Sequence, residues 1–389
     1  MPLPADFNLQ AFERPRIVHI AEAALSAEPR SITTAVNPRS AGGPHDFSSE
    51  GDYWWPDPAN PTGPYVQKDG LTNPDNFVAH RQLLLGFVRD FGALAAAYRV
   101  SGDERFAAGA VRLAHVWFIA PATRMNPNLL YSQAIKGRST GRSIGVIDTL
   151  HLAEVALGIE ALRGSKALTK EEDAALTGWF HDYLHWLRTH PYGIEESNAK
   201  NNHGTCAWLQ IACFAHLTGD QAALAESRAR LKEVLLPSQM AADGSFTEEL
   251  RRTKPYGYSI FNLDVMTALA VVCSTPEENL LTWSLPDGRN LVKGVAWLAP
   301  FIADKNLWLK TVHHASPGPN GDAVITAELV KPDVMYWDNW PVRPPALLFG
   351  ALASGRREWL ELWERLDPDP QVEEIRRNFP IRNPVLWVR

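Results

Sequence analysis

Three stretches bring together an amide, an imidazole, a guanidinium and a phenol: Asn201-Asn202-His203-Gly204, Glu249-Leu250-Arg251-Arg252-Thr253-Lys254 and Tyr258-Ser259-Ile260-Phe261-Asn262-Leu263. That set suits removal of a proton beside a carboxylate, because Arg and Asn neutralise the carboxylate while Tyr and His move protons. Uronic-acid polysaccharides break by such an elimination. The C5 proton of a 4-linked uronate is only weakly acidic while its carboxylate keeps its charge, so neutralisation comes first. Arg252 would form a bidentate pair with the carboxylate, with Asn202 and His203 bonding its oxygens or the enolate-like transition state. Tyr258, ordinarily titrating near a pKa of about 10, would need lowering by Arg252 and His203 to act as base; the phenol would then protonate the leaving O4. One residue serves both steps where the C5 proton and O4 share a face, as in mannuronate or glucuronate. In guluronate they lie on opposite faces, which makes His203 the natural base and Tyr258 the acid.

Each group has a plainer role open to it. Asn201-Asn202-His203 suits a cap and entry turn for a helix from Gly204 to Thr218. Arg251 and Arg252 suit a solvated helix face, and Tyr256 and Tyr258 suit core aromatics. Tyr256 competes with Tyr258, and Arg251 with Arg252, for the same task. Gln133, Arg138 and Arg142 lie in a Gly/Ser-rich loop that could hold sugar hydroxyls or carboxylates, or bond only to itself. Trp54 and Trp55 are candidate platforms for sugar rings. Glu195 and Glu196 could tune His203, hold Arg252, or simply open a helix. His181 and His185 have the i,i+4 spacing of a metal-binding helix, but the glutamate of HExxH and a third ligand are missing. His313-His314 is ambiguous. The expectation is no catalytic metal and no cofactor.

The Asn-Asn-His turn and the Arg followed by Tyr-x-x-Phe resemble motifs of the alginate lyase superfamily of polysaccharide lyases. Asn202 and His203 match the family's Asn-His pair, Arg252 its substrate-neutralising arginine after a one-residue gap, and Tyr258 its catalytic tyrosine. Gly51-Asp52-Tyr53-Trp54-Trp55-Pro56-Asp57-Pro58 and Asn128-Leu129-Leu130-Tyr131-Ser132-Gln133-Ala134-Ile135, with Gly137-Arg138, look like the family too. The resemblance spans roughly residues 50 to 300. It implies a lyase acting on alginate, polymannuronate or glucuronan, with Tyr131, Gln133, Arg138, Arg142, Trp54, Trp55, Asn201 and Glu196 as substrate-binding candidates. The Tyr-Trp-Trp-Pro-Asp-Pro variant looks closer to a broad branch that includes glucuronan-active lyases.

Around these residues the spacing predicts helices. Apolar residues recur at helical intervals over Pro15–Glu28, Asp75–Arg99, Glu104–Trp117, Ile144–Leu162, Glu171–Thr189, Gly204–Thr218, Gln221–Leu235, Ser259–Cys273, Leu291–Ala303 and Arg356–Leu366. Joints such as Ser101-Gly102-Asp103 and Leu217-Thr218-Gly219-Asp220 punctuate them. No stretch alternates as a strand. Short turns alternate with long polar and aromatic loops, which predicts an all-α chain folded as an α/α toroid or incomplete barrel of paired antiparallel helices, the loops gathered at one rim. We read one domain, residues 1–389: an N-terminal helix and long aromatic loop (1–74), a helical body with the motifs (75–311) and a closing segment (312–389).

Composition narrows the classes. The chain has 389 residues, 45% hydrophobic and 21% charged, as in an ordinary globular enzyme. A formal net charge of -6 without any Lys/Arg run argues against nucleic acid, so a polyanionic substrate requires a local basic cleft. Three cysteines without metal spacing predict buried free thiols. No basic start precedes an apolar run and no apolar run approaches membrane-spanning length, so the expectation is a cytoplasmic protein with no membrane partner. The alternative is a periplasmic or secreted one whose leader was removed. Three rival functions remain: a hydrolase using a carboxylate pair among Asp57, Glu195, Glu196, Glu248, Glu249 and Asp264, a uronate-glycan-binding protein without chemistry, and a helical interaction scaffold, which would not need the Arg and Tyr placement.

Overall fold

The computed structural model describes residues 7–68, 70–252, 254–311, 342–369 and 376–388. His313 and His314, with residues 312–341, 370–375 and 389 of the expected closing segment, lie outside them. The described chain is chiefly helical, with helices α1 (Leu9–Ala24), α2 (Ala79–Ser101), α3 (Glu104–Ala114), α4 (Leu152–Leu162), α5 (Lys170–Thr189), α6 (Pro191–Ser197), α7 (Asn202–Thr218) and α8 (Gln221–Arg230). There follow α9 (Leu236–Gln239), α10 (Thr247–Leu250), α11 (Pro255–Cys273), α12 (Leu291–Ala303), α13 (Lys305–Thr311), α14 (Pro345–Ser354), α15 (Arg357–Arg365) and α16 (Pro384–Trp387).

The helices divide by how much of their surface is apolar. In α2, α4, α7, α11 and α14 burial runs almost all the way round, and these pack in succession, α2 on α4, α4 on α7, α7 on α11 and α11 on α14. Amphipathic helices cover them: α3 on α2, α5 and α8 on α7, α12 and α15 on α14. In α5 the buried set Leu176, Trp179, Phe180, Tyr183, Leu184 and Leu187 is a single stripe at helical spacing. The expectation that no apolar run approaches spanning length is corrected by α11, which is long and apolar enough by length and composition; 83% of that window is buried in the protein, as befits a core helix.

Two helix starts matter for the site. α7 begins at Asn202, two residues earlier than its apolar pattern predicts, because the Asn201 side chain accepts from the His203 N–H at 3.1 Å. α11 begins at Pro255 rather than Ser259, since proline is pre-set for the first helical position. Both shifts bring reactive side chains into a first turn. Elsewhere, α1 starts at Leu9, capped by Asn8, and carries Pro15 inside it. The expected Ile144–Leu162 helix divides into a 3₁₀ segment, Ser143–Thr149, and α4. The ends predicted at Trp117 and Leu235 become π turns, His115–Ile119 and Leu231–Leu235.

The long loop contains strands that are too short to show an alternating pattern. β1 (Ser48–Glu50) pairs in parallel with β4 (Tyr131–Ala134), and β2 (Trp54–Trp55) pairs antiparallel with β3 (Val66–Gln67), Trp54 opposite Gln67. Cys206, Cys213 and Cys273 are buried and free of disulfides.

Candidate functional site

A cleft is lined by Asp52, Tyr53 and Trp54 from the loop, Gln133 in β4 and Arg142 after it, Asn202 and His203 at the start of α7, Arg252 and Lys254 before α11, Tyr258 in its first turn, and Arg377 and Asn378 near the C-terminus. The phenol oxygen of Tyr258 accepts from Arg252 Nη2 at 2.9 Å and lies 3.1 Å from the hydroxyl of Tyr53. The same guanidinium sits 4.0 Å from the centre of the Tyr258 ring. A cation both bonded to the oxygen and close to the ring favours the phenolate form. Burial raises the Tyr53 phenol, and its Tyr258 neighbour raises it further, so Tyr53 stays protonated.

Each member of the Asn-His pair is backed by a buried carboxylate. Glu249, in α10 and wholly buried, accepts from the Asn202 backbone N–H at 2.7 Å and from its Nδ2 at 2.8 Å. Burial raises the Glu249 pKa although Asn202, Arg252 and His203 oppose it. Glu196, at the end of α6 and 2% exposed, bonds His203 Nδ1 at 2.5 Å. Burial opposes charge on His203, but Glu196 outweighs it and the imidazole pKa is raised. Nε2 is then the ring nitrogen left for cleft chemistry.

Although the chain is acidic overall, its cleft is basic. Among the described residues, Arg142, Arg252, Lys254 and Arg377 line it against one carboxylate, Asp52. Asp52 accepts from Arg81 Nη1 at 2.9 Å and Arg377 Nη2 at 2.7 Å. Burial would raise its pKa, but the two guanidinium groups hold it at about 2. Arg142 is drawn below its ordinary value by burial, against the pull of Asp148, Glu196 and Asp52. It donates from Nε to the Gln133 carbonyl at 2.8 Å and from Nη2 to Gln133 Oε1 at 3.2 Å. Gln133 has φ +55°, and among described residues no other non-glycine has positive φ. Its N–H donates to Ser49 Oγ and its Nε2 to Asp148. Strain of this kind, of order 1–3 kcal/mol, persists only where the surroundings impose it; here it turns the chain so that Gln133 can hold Arg142.

The structure therefore brings Tyr258, His203, Asn202, Arg252, Gln133, Arg142 and Trp54 together, with Glu196 directly behind. Trp54 has Arg138 and Arg142 near its ring. Four other candidates are placed apart from the lining. Trp55 donates to the Leu71 carbonyl, Tyr131 packs against Gly42, Arg138 is exposed with its Nε on the Tyr65 carbonyl, and Asn201 caps α7. The competing residues also separate: Arg251 is exposed and paired with Glu248 at 2.7 Å, and Tyr256 is buried with its hydroxyl on the Phe301 carbonyl. Of the hydrolase candidates, Asp264 is buried under the Ala346 N–H, Glu195 is exposed, and none lines the cleft. His181 and His185 border a separate groove, and no acidic, histidine and cysteine cluster suited to a metal occurs among the described residues. Tyr53, Lys254, Arg377 and Asn378 are lining residues absent from the sequence candidates. Tyr53 could have been found in its motif; Arg377 carries no local signal.

Comparison with known proteins places this geometry in context. A family model described as alginate lyase matches residues 31–308. An alginate lyase from Bacteroides ovatus is similar in structure over 98% of this chain and 94% of its own, with 28% identity and a TM-score of 0.77. Alginate lyase A1-III from Sphingomonas species A1 shares 12% identity over 89% of each chain, TM-score 0.51. A histidine-to-alanine variant of A1-III complexed with a tetrasaccharide shares 15% identity over 76% of this chain and 77% of its own, TM-score 0.51. No curated protein matches.

Proposed function

The chain belongs to the alginate lyase family and is a polysaccharide lyase; from that premise we propose that it cleaves 4-linked mannuronate or glucuronate glycans by β-elimination, with Tyr258 serving as base and then acid. The observation that carries this reading is the Tyr258 oxygen, held at a basic cleft by the Arg252 guanidinium at 2.9 Å and the Tyr53 hydroxyl at 3.1 Å. Arg252 favours the phenolate that abstracts the C5 proton, and Tyr53 supplies a hydrogen-bond partner to the same oxygen. Asn202 and His203 meet the substrate carboxylate. With Nδ1 against buried Glu196, His203 is drawn toward its cationic form, which suits it to neutralising an anion better than to accepting a proton. That leaves Tyr258 both transfers, and hence a C5 proton and O4 on one face. In the same reading, the succession of α2, α4, α7, α11 and α14 with their outer partners is an incomplete α/α toroid with the cleft at one rim.

The test is ultraviolet absorbance of the unsaturated uronate product during incubation with polymannuronate, polyguluronate and glucuronan in parallel, with Tyr258→Phe as control. Polymannuronate or glucuronan should give product, and the variant should be slower by about 10²–10⁴-fold. Product from polyguluronate alone would overturn the one-face assignment, and product from none of the three would overturn elimination on these polymers.

A further inference from the structure

We propose that Arg377, with Asn378 beside it, binds the carboxylate of a uronate adjoining the one that is cleaved, so that the C-terminal segment extends the cleft by one sugar. The inference rests on the elimination reading and adds a position beyond residues 31–308, the part matched by the family model. A 4-linked uronan carries a carboxylate on every sugar. The reacting one is met by residues at the starts of α7 and α11, whereas Arg377 enters from residues 376–388, beside Asp52 and Tyr53.

That segment is held in two ways. Glu154, in α4 and wholly buried, accepts from the backbone N–H groups of Arg382 at 2.7 Å and Asn383 at 3.0 Å, from Asn383 Nδ2 at 2.8 Å and from Trp387 Nε1 at 2.9 Å. A buried carboxylate is costly unless so bonded, and here its bonds pin the end of the chain against the core. Buried His151 donates from Nε2 to the Arg377 carbonyl at 2.8 Å; burial, with Arg382 and Arg377 nearby, keeps it neutral by holding its pKa at about 3. The Arg377 side chain is oriented in turn by Asp52 at 2.7 Å, itself backed by buried Arg81. The result is a planar cation with main chain and side chain both pre-positioned, the form that recognises carboxylates with least ordering cost.

Oligouronates of increasing length, prepared from whichever polymer gives product, test this by the length dependence of KM in the parent, Arg377→Met, Arg377→Lys and Asn378→Asp proteins. In the parent, KM should fall about ten- to hundredfold at the length that first reaches Arg377. Arg377→Met should lose that step, Arg377→Lys should recover only part of it for want of the planar fork, and Asn378→Asp should weaken it by placing a like charge there. A parent-like step in Arg377→Met, or a loss equal at every length, overturns the proposal and leaves Arg377 as the partner of Asp52. If Arg377→Met fails to fold, by thermal unfolding, Arg377→Lys and Asn378→Asp decide. If the parent makes no unsaturated product, the elimination reading fails separately; calorimetric titration of the saturated oligomers then reads the same affinity step.

Discussion

Helices α5 and α7 both begin with a polar cap, and they satisfy their first turns by opposite means. At α5, Thr169 and Glu172 form a capping box, each side chain bonding the other's backbone N–H. The whole device is local and exposed. At α7, Asn201 supplies the local cap, but the next two residues are bound by carboxylates from other helices. Asn202 is held by Glu249, forty-seven residues away, and His203 by Glu196. Burying two carboxylates for one helix start is poor economy for stability alone; an amide and an imidazole held in fixed positions at a basic cleft are what it achieves. The α5 cap is written within one turn; the α7 start, which the elimination reading assigns to chemistry, draws on the tertiary structure.

The contrast is sharpest at Asn202. Asn202→Ala should lower kcat by about 10²–10³-fold, the usual effect of removing one donor to a developing oxyanion, and an activity near that of the parent would make the α7 start as structural as that of α5. Glu249→Gln swaps one acceptor for a donor facing Asn202. It should destabilise the protein by about 1–3 kcal/mol and slow turnover with it, seen by denaturant unfolding and initial rates; lost stability with unchanged kcat would break the link between the carboxylate and the chemistry.

Glu196→Gln should act through pH. Because Glu196 raises the His203 pKa from its ordinary 6.5, the pair's contribution to stability is complete below that value and lost as pH rises through the raised one. The stability gap between parent and variant should therefore be widest below pH 6.5 and close on the alkaline side. If His203 acts as a cation, the alkaline limb of kcat/KM should also move to lower pH in the variant; an unmoved limb would remove His203 from charge neutralisation. The smallest effect belongs to the local cap: Thr169→Ala should cost about 1 kcal/mol in thermal unfolding while product formation stays at the parental rate.

The same division explains how far the sequence could be read. Periodicity located nearly every long helix, and α12 from end to end, because a buried stripe repeats at the helical period whatever it packs against. It could not choose between Tyr256 and Tyr258. Two residues along a helix are roughly 200° apart, so beginning α11 at Pro255 sends one ring to the core and the other to the cleft. Nor could it choose between Arg251 and Arg252, of which the first faces Glu248 and the second Tyr258. The strands of the long loop, and β4 that pairs with one of them, went unseen because two to four residues hold no pattern.

By itself, then, the sequence determined the helical class and the local caps and proposed the reactive set, since these draw on neighbours within a turn or so along the chain and on short motifs. Only the tertiary structure decided which carboxylate meets which partner. Glu249 behind Asn202, Glu196 behind His203, and Arg377 beside Asp52 across 325 residues are pairings of burial and charge, and both depend on packing between segments that are remote in sequence.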